Sequence, residues 1–210
     1  MKPKLTYIPI LHVAMKRQSG AALITGLIFL VVLSMIGVTA ARMSTLEERM
    51  SGNMRDRSIA MQAAELTLRD AERDVSNSVS ASSRSIVGIT SFVADCGAST
   101  TSTIEDDGLC YNGPNGYATA IWNDANWTDT PSATDPASVP YGLFTTRAAG
   151  DDESDSTKAI PIVSAQPRYI IEGIRKTPPG SGEVFYYRIT VRAQGANSNT
   201  VVWLQEVFRP

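Results

Sequence analysis

The chain has 210 residues, 43% of them apolar and 19% charged, which is enough for one ordinary globular domain with extensions. Lys2, Lys4, Lys16 and Arg17 precede Ala21 with no acid among them, so from Ala21 onward 15 basic residues face 21 acidic ones, a net charge of −6 unsuited to nucleic-acid phosphates. The only histidine, His12, lies in that leading stretch; without it the remainder has no imidazole, which excludes Ser/His and Cys/His nucleophilic catalysis and argues against a zinc site.

The first element is the stretch "MKRQSGAALITGLIFLVVLSMIGVTAARM", residues 15–43, a basic flank, Gly20 and then an uncharged run from 21 to 41. About 21 residues at 1.5 Å each give roughly 30 Å, the thickness of a bilayer's hydrocarbon core. The run is anchor-sized, longer than the apolar region of a secretory signal. "VTAARM" leads directly into a helix-forming polar sequence, although its Ala pair keeps signal-peptidase cleavage as an alternative. The positive-inside count is a tie, with Lys2, Lys4, Lys16 and Arg17 on one side and Arg42, Arg49, Arg55 and Arg57 on the other.

The only cysteines, Cys96 and Cys110, are too far apart for a CxxC motif and too few for structural zinc. In a chain bearing an export signal, a disulfide is preferred over two free thiols; it would close a loop of about 15 residues and contribute roughly 3 kcal/mol. Because a disulfide needs an oxidising compartment, it also breaks the orientation tie, toward an exported C-terminal part.

At Gly20, where glycine offers a peptidase an extended, unhindered backbone, "KRQSG" followed by "AALITGLIFLVVL" resembles the cleavage site and first helix of a type IV prepilin. The resemblance implies cleavage between Gly20 and Ala21 on the cytoplasmic side by a prepilin peptidase, retention of the anchor, and N-methylation of Ala21. Met15 is an alternative start, giving the short basic leader MKRQSG.

Past Arg42 an apolar pattern continues in steps of three and four through Met43, Met50, Met54, Met61, Ala64, Leu68, Ala71 and Val75, with Glu47 and Arg57 interrupting it. One helix from the bilayer to residue 75 would span about 80 Å. Gly52 and Asn53 lower its helix propensity by roughly 1.5 kcal/mol relative to alanine and invite a kink or local melting. The first half of this extension is expected to pack on neighbouring subunits, and residues 58–75 on the chain's own domain.

"STLEERMSGNMRDRSIAMQAAELTLRDAE", residues 44–72, resembles the N-terminal region of PilX-type minor pilins of the type IV pilus. Its core is Glu48, Arg49, Met50, Gly52, Asn53, Met54, Arg55, Asp56 and Arg57, followed by Gln62, Ala63, Ala64 and Glu65. The resemblance covers residues 16–75, and implies subunit contacts through Glu48, Arg49, Met50, Asn53, Met54, Arg55 and Arg57. Most pilins carry at the fifth mature position a glutamate that pairs with the N-terminal amine of the next subunit; here that position is Thr25. A neutral hydroxyl cannot neutralise a buried ammonium, so a tip or priming subunit is expected rather than a shaft subunit. The implied partners are other minor pilins, the major pilin, prepilin peptidase and the inner membrane, with no nucleic-acid binding. Tip pseudopilins of type II secretion share the missing glutamate and remain an alternative, as does a single-pass membrane-anchored periplasmic binding domain.

The Ser-rich stretch at 76–91 reads as a helix end and linker, and residues 92–167 show little periodicity among Asn, Asp, Thr, Gly and Pro. "RYIIEGI", "VFYYRITVRA" and "TVVWLQEVF" then read as strands at 168–174, 184–193 and 200–208, separated by turn sequences. In the second strand Phe185, Tyr187, Ile189 and Val191 share one face and Arg188, Thr190 and Arg192 the other, so the sheet is expected to bury one face, against the helix at 58–75. The expected fold is α+β and pilin-like, with a long N-terminal transmembrane helix packed on a C-terminal antiparallel sheet. The segments are a leader at 1–20, a membrane part at 21–41, an exported helix continuation at 42–75 and a periplasmic or extracellular globular domain at 76–210.

Asp151, Asp152, Glu153 and Asp155 cluster without EF-hand spacing and read as a solvated loop, with calcium the alternative. Asn126, Trp127 and Thr128 fit a glycosylation sequon, and the aromatics Tyr111, Tyr117, Trp122, Trp127, Tyr141 and Phe144 read as packing in an irregular domain, with an adhesive surface the alternative. No catalytic carboxylate pair, phosphate loop or nucleophile stands out; no enzyme, metal or cofactor is expected. If Gly20 is the processing point, Gly20→Val leaves an uncleaved membrane-bound precursor and fewer pili, seen as a heavier band on immunoblots; normal processing and piliation in that strain would remove the assignment.

Overall fold

The computed structural model describes residues 20–76, 86, 88–93, 96, 107–111, 120–128, 137–145, 159–180 and 182–209. Tyr117, the acidic cluster at 151–155, most of the leader and most of the Ser-rich stretch lie outside them. The elements are α1 (Ala21–Ser76), β1 (Leu109–Tyr111), the single turn α2 (Ile121–Asp124), β2 (Val139–Pro140), β3 (Arg168–Lys176), β4 (Val184–Gln194) and β5 (Val201–Phe208). The chain divides into two units, Met1–Met50 and Ser51–Pro210.

In the first unit the described part is the opening of α1. Its apolar side chains are exposed, Leu23, Phe29, Leu33 and Met35 among them, and this is the one described helix long and apolar enough to cross a membrane. The hydroxyls of Ser34, Thr39 and Thr45 donate to carbonyls three or four residues back, as in Ser34 to Leu30 at 2.7 Å, so no polar side-chain group interrupts the apolar surface unsatisfied. The helix continues as regular α-helix through Gly52 and Asn53, where the sequence invites a kink or melting. A single glycine costs a helix only about 1 kcal/mol, which the helical hydrogen bonds running through it offset.

In the second unit the sheet runs β1-β3-β4-β5, with β2 also paired to β3. The β3, β4 and β5 strands are antiparallel, whereas β1 joins β3 in parallel, so the sheet is mostly, not wholly, antiparallel. Both β1 and β2 arise in the stretch that shows no periodicity, because strands of three and two residues are too short to display one. Gly108, at φ +72°, turns the chain into β1 so closely under β2 that a Cβ would lie 2.5 Å from Val139 Cγ2.

The inner face of the sheet carries Tyr169, Ile171, Tyr187, Ile189, Val191, Ala193 and Val202, packed with Ala60, Ala63, Ala64, Ala71 and Val75 of α1. Small alanines let the helix lie close to the strands. The buried stripe differs from the apolar pattern in the sequence. Thr67, Asp70 and Asp74 are fully buried within it, while Met61 and Leu68 are half-buried and Met43, Met50 and Met54 stay exposed.

The two buried carboxylates are bonded rather than stranded. Asp70 accepts from the Gly142 N–H at 2.7 Å and from the Thr145 hydroxyl, and Asp74 accepts from the Tyr169 hydroxyl at 2.8 Å. Each ties α1 to a different part of the domain, the turn after β2 and the start of β3. Such bonds to charged groups contribute about 1.5–3 kcal/mol each, against the desolvation they offset.

The outer face corrects a second expectation, since the sheet buries part of both faces. Ile170, Glu172 and Thr190 are buried there, with Cys96, Cys110, Ile121 and Ala125 forming a second small core around Ile170. Cys96 and Cys110 form the disulfide, which secures the chain before β1 to β1 itself. Arg188 donates to both carboxylate oxygens of Glu172, at 2.7 Å from Nε, and this charge-assisted pair is what allows Glu172 to be fully buried.

Burial pushes the Asp70 carboxyl above the usual carboxylate range, its hydrogen bonds from Thr145 and Gly142 notwithstanding. Glu206 on the inner face of β5 is raised as well, by burial and then by the hydrogen bond and charge of Glu72. A carboxyl whose folded pKa is raised contributes stability that is full below the unfolded value and lost as pH rises through the folded one. Denaturation of the full chain in detergent is therefore expected to show stability falling as pH rises from the ordinary carboxylate range through these raised values. Asp70→Asn should flatten that slope, and Asp70→Ala should lower stability by about 1–3 kcal/mol by stranding its donors. An Asp70→Asn variant with the wild-type slope would contradict the assignment.

Candidate functional site

The site indicated by sequence is a string of positions along α1. Gly20 is exposed and stands immediately before the helix, which begins at Ala21, so the Gly20 to Ala21 peptide lies at the junction of non-helical and helical backbone. A Cβ on Gly20 would meet nothing within 4 Å in the folded chain, so a substituent there changes the access of another molecule without disturbing the chain's own packing. Thr25 is exposed, and its hydroxyl donates to the carbonyls of Ala21 and Ala22 at 3.0 and 3.1 Å. Its proton is thus engaged by the first turn of its own helix, and the position supplies no negative charge.

Farther along, Glu48, Arg49 and Met50 in the first unit are exposed, and so are Asn53, Met54, Arg55 and Arg57 in the second. Met50 and Met54 are 61% and 69% exposed, a large apolar area for the surface of one chain. Asp56 within the same motif behaves differently. It accepts from the Thr200 hydroxyl and the backbone N–H groups of Asn197 and Ala196, and these bonds, led by Thr200, hold its carboxyl below the usual range against desolvation, which opposes them.

Asp56 thus anchors the turn between β4 and β5 to α1. Gly195 makes this approach possible, because a Cβ there would lie 2.5 Å from Asp56 Oδ1 and 2.9 Å from its carbonyl oxygen. Beside the anchor, Gly52, Asn53, Asp56, Ser164, Ala196, Asn197 and Ser198 line a shallow polar groove of about 660 Å³. The sequence does not separate Asp56 from its exposed neighbours, because only the approach of a turn some 140 residues away gives it partners.

The rest of the domain offers packing rather than chemistry. Phe144 is buried in the inner core with Tyr111 against it, while Trp122 and Trp127 pack on the outer one. Trp127 donates from Nε1 to the Trp122 carbonyl at 3.0 Å and meets Trp203 edge-on at 5.0 Å between ring centres. The sequon residue Asn126 is engaged locally, its side-chain oxygen accepting from the backbone and hydroxyl of Thr128. Among the described residues no three His, Cys, Asp or Glu side chains come together as a metal site.

Comparison with known proteins finds no curated protein and no solved structure that matches the chain. Family models do match. Residues 19–69 fit the PilX N-terminal family, which begins beside Gly20 and includes the whole exposed motif, and residues 106–210 fit the type IV pilus assembly protein PilX C-terminal family, which includes all five strands. Together they account for both the helix and the sheet that packs on it. The chain belongs to the PilX family and is a minor pilin of the type IV pilus.

Proposed function

We propose that this minor pilin is cut after Gly20, carries an N-methylated Ala21, and acts at or near the pilus tip, where it primes assembly with other minor pilins before the major pilin is added. The observation that carries the reading is Thr25. A subunit buried in the shaft would leave the amine of its neighbour facing an uncharged hydroxyl that already donates to its own helix, and an unpaired charge in hydrocarbon costs at least about 2.5 kcal/mol. A subunit at the end of the filament avoids that pairing.

In this reading residues 1–20 are the leader, residues 21–41 cross the inner membrane with the N-terminus cytoplasmic, residues 42–75 continue the helix outside, and residues 76–210 form the exported domain. Before assembly the protein waits in the inner membrane, and afterwards it stands on the cell-surface fibre. Glu48, Arg49, Met50, Asn53, Met54, Arg55 and Arg57 meet neighbouring subunits; their exposure in the single chain supports this role, because methionines flanked by both charge signs form an apolar contact with a polar rim. The role is structural, serving pilus biogenesis and through it twitching motility and adhesion. The family match favours the pilus over a type II secretion tip or a periplasmic binding domain.

Intact mass of the protein made with and without prepilin peptidase tests the first step. The expected product begins at Ala21 and is heavier by one methyl group only when the peptidase is present. An unchanged mass would make the apolar segment an ordinary anchor and overturn the processing on which tip assembly rests.

A further inference from the structure

The outer face of the sheet is covered at β1 and β3 and half-covered at β4, and it opens at the edge strand β5, where Trp122 and Trp127 reach only one side of Trp203. On the open part Val201, Trp203 and Val207 of β5 are 36%, 44% and 61% exposed, with exposed Gln205 between them. Three cations border this strip, each over an aromatic ring. Lys176 Nζ is 5.8 Å and Arg209 Cζ 5.9 Å from the centre of the Tyr186 ring, and Arg192 Cζ is 5.9 Å from that of Trp203.

Register explains the arrangement. Lys176 ends β3 and Arg209 follows β5, so the two flank Tyr186 on β4, while Arg192 lies directly across from Trp203. None of the three has an acidic partner among the described residues. Glu172, the acid that β3 contributes to this face, is buried and held by Arg188. Burial holds the Arg192 guanidinium below its usual range with no nearby carboxylate to offset it.

Unpaired positive charge gathered on one face of a chain that is −6 from Ala21 onward requires an explanation, and so does an exposed tryptophan between valines at its centre. An apolar centre ringed by Tyr, Trp and Arg is the composition of a protein interface. A phosphate backbone would instead be met by a track of cations with free aromatic faces. We infer that the β4 and β5 outer face docks an acidic surface with an apolar centre on a different pilin subunit of the same pilus. The inference rests on the chain's being assembled with other minor pilins.

The test uses the full chain in its native cell, with Gln205 replaced by the photo-crosslinking residue p-benzoylphenylalanine and pili counted in the same strain. The expected result is an adduct with another pilin at a peptide of net negative charge, its yield lowered about tenfold by Arg192→Glu and partly restored by an acid-to-Lys change at the mapped partner residue. Lys176→Glu, exposed at a strand end, serves the same purpose if Arg192→Glu fails to fold. Normal piliation with no adduct, an adduct only with a second copy of this chain, or an adduct at a surface without acids would overturn the inference and leave the minor-pilin reading standing. Absence of processing at Gly20 would instead undo that reading. Binding of the purified chain to a single-stranded oligonucleotide, lost with Arg192→Glu, would replace the pilin partner with a polyanion and also overturn it.

Discussion

The seam between the second half of α1 and the inner face of the sheet is the contact on which the domain depends. Alanines at 60, 63, 64 and 71 bring the helix close enough for Asp70 and Asp74 to reach Gly142, Thr145 and Tyr169. Burying two carboxylates in an apolar contact is unfavourable unless each finds donors, so the turn after β2 and the first residues of β3 must both be in place when the helix docks. The requirement makes the register of helix on sheet specific in a way that alanine packing alone would not, since neighbouring alanine stripes are nearly equivalent to an apolar surface.

Because the buried seam begins at about Ala60, α1 exposes its side chains before that point, apart from Ile59 and Asp56, the latter bonded to the β4 to β5 turn. Its apolar opening suits a hydrocarbon solvent, and the following motif, with exposed methionines and both charge signs, suits other protein surfaces. Asp56 marks the changeover, turned toward the β4 to β5 turn while the residues on either side face outward. Composition thus changes along the helix, from an uncharged apolar run to an exposed mixed motif to a buried alanine-rich stripe.

On the other side of the sheet the disulfide has a comparable organising effect. Joining Cys96 to Cys110 holds the segment before β1 over Ile170, and α2 adds Ile121 and Ala125 to the same small core. This coverage reaches β5 only through Trp122 and Trp127 against Trp203, and β5 is the edge strand of the sheet, which is why Trp203 and Val207 remain partly exposed. The burial of Glu172 follows from the same boundary: paired in register with Cys110 it is fully shielded, and Arg188 at the margin supplies the opposite charge.

Much of this was legible from residues alone. The uncharged run after Gly20, the steps of three and four that end near Val75, the alternation in β3, β4 and β5, and the chain's single pair of cysteines each carry a local periodic or compositional signal. The motif at 48–57 led to the family. What the sequence could not display were β1 and β2, too short for any period, and the roles of Asp56, Asp70, Asp74 and Glu172, which by residue type belong on a surface. Burial of a carboxylate is decided by whether a distant donor arrives to bond it, and Tyr169 is 95 residues from Asp74. Local chemistry therefore determined the long helix, the three long strands and the run apolar enough to cross a membrane, whereas tertiary structure alone decided which charges lie inside, because only contacts between distant segments supply the hydrogen bonds that make such burial possible.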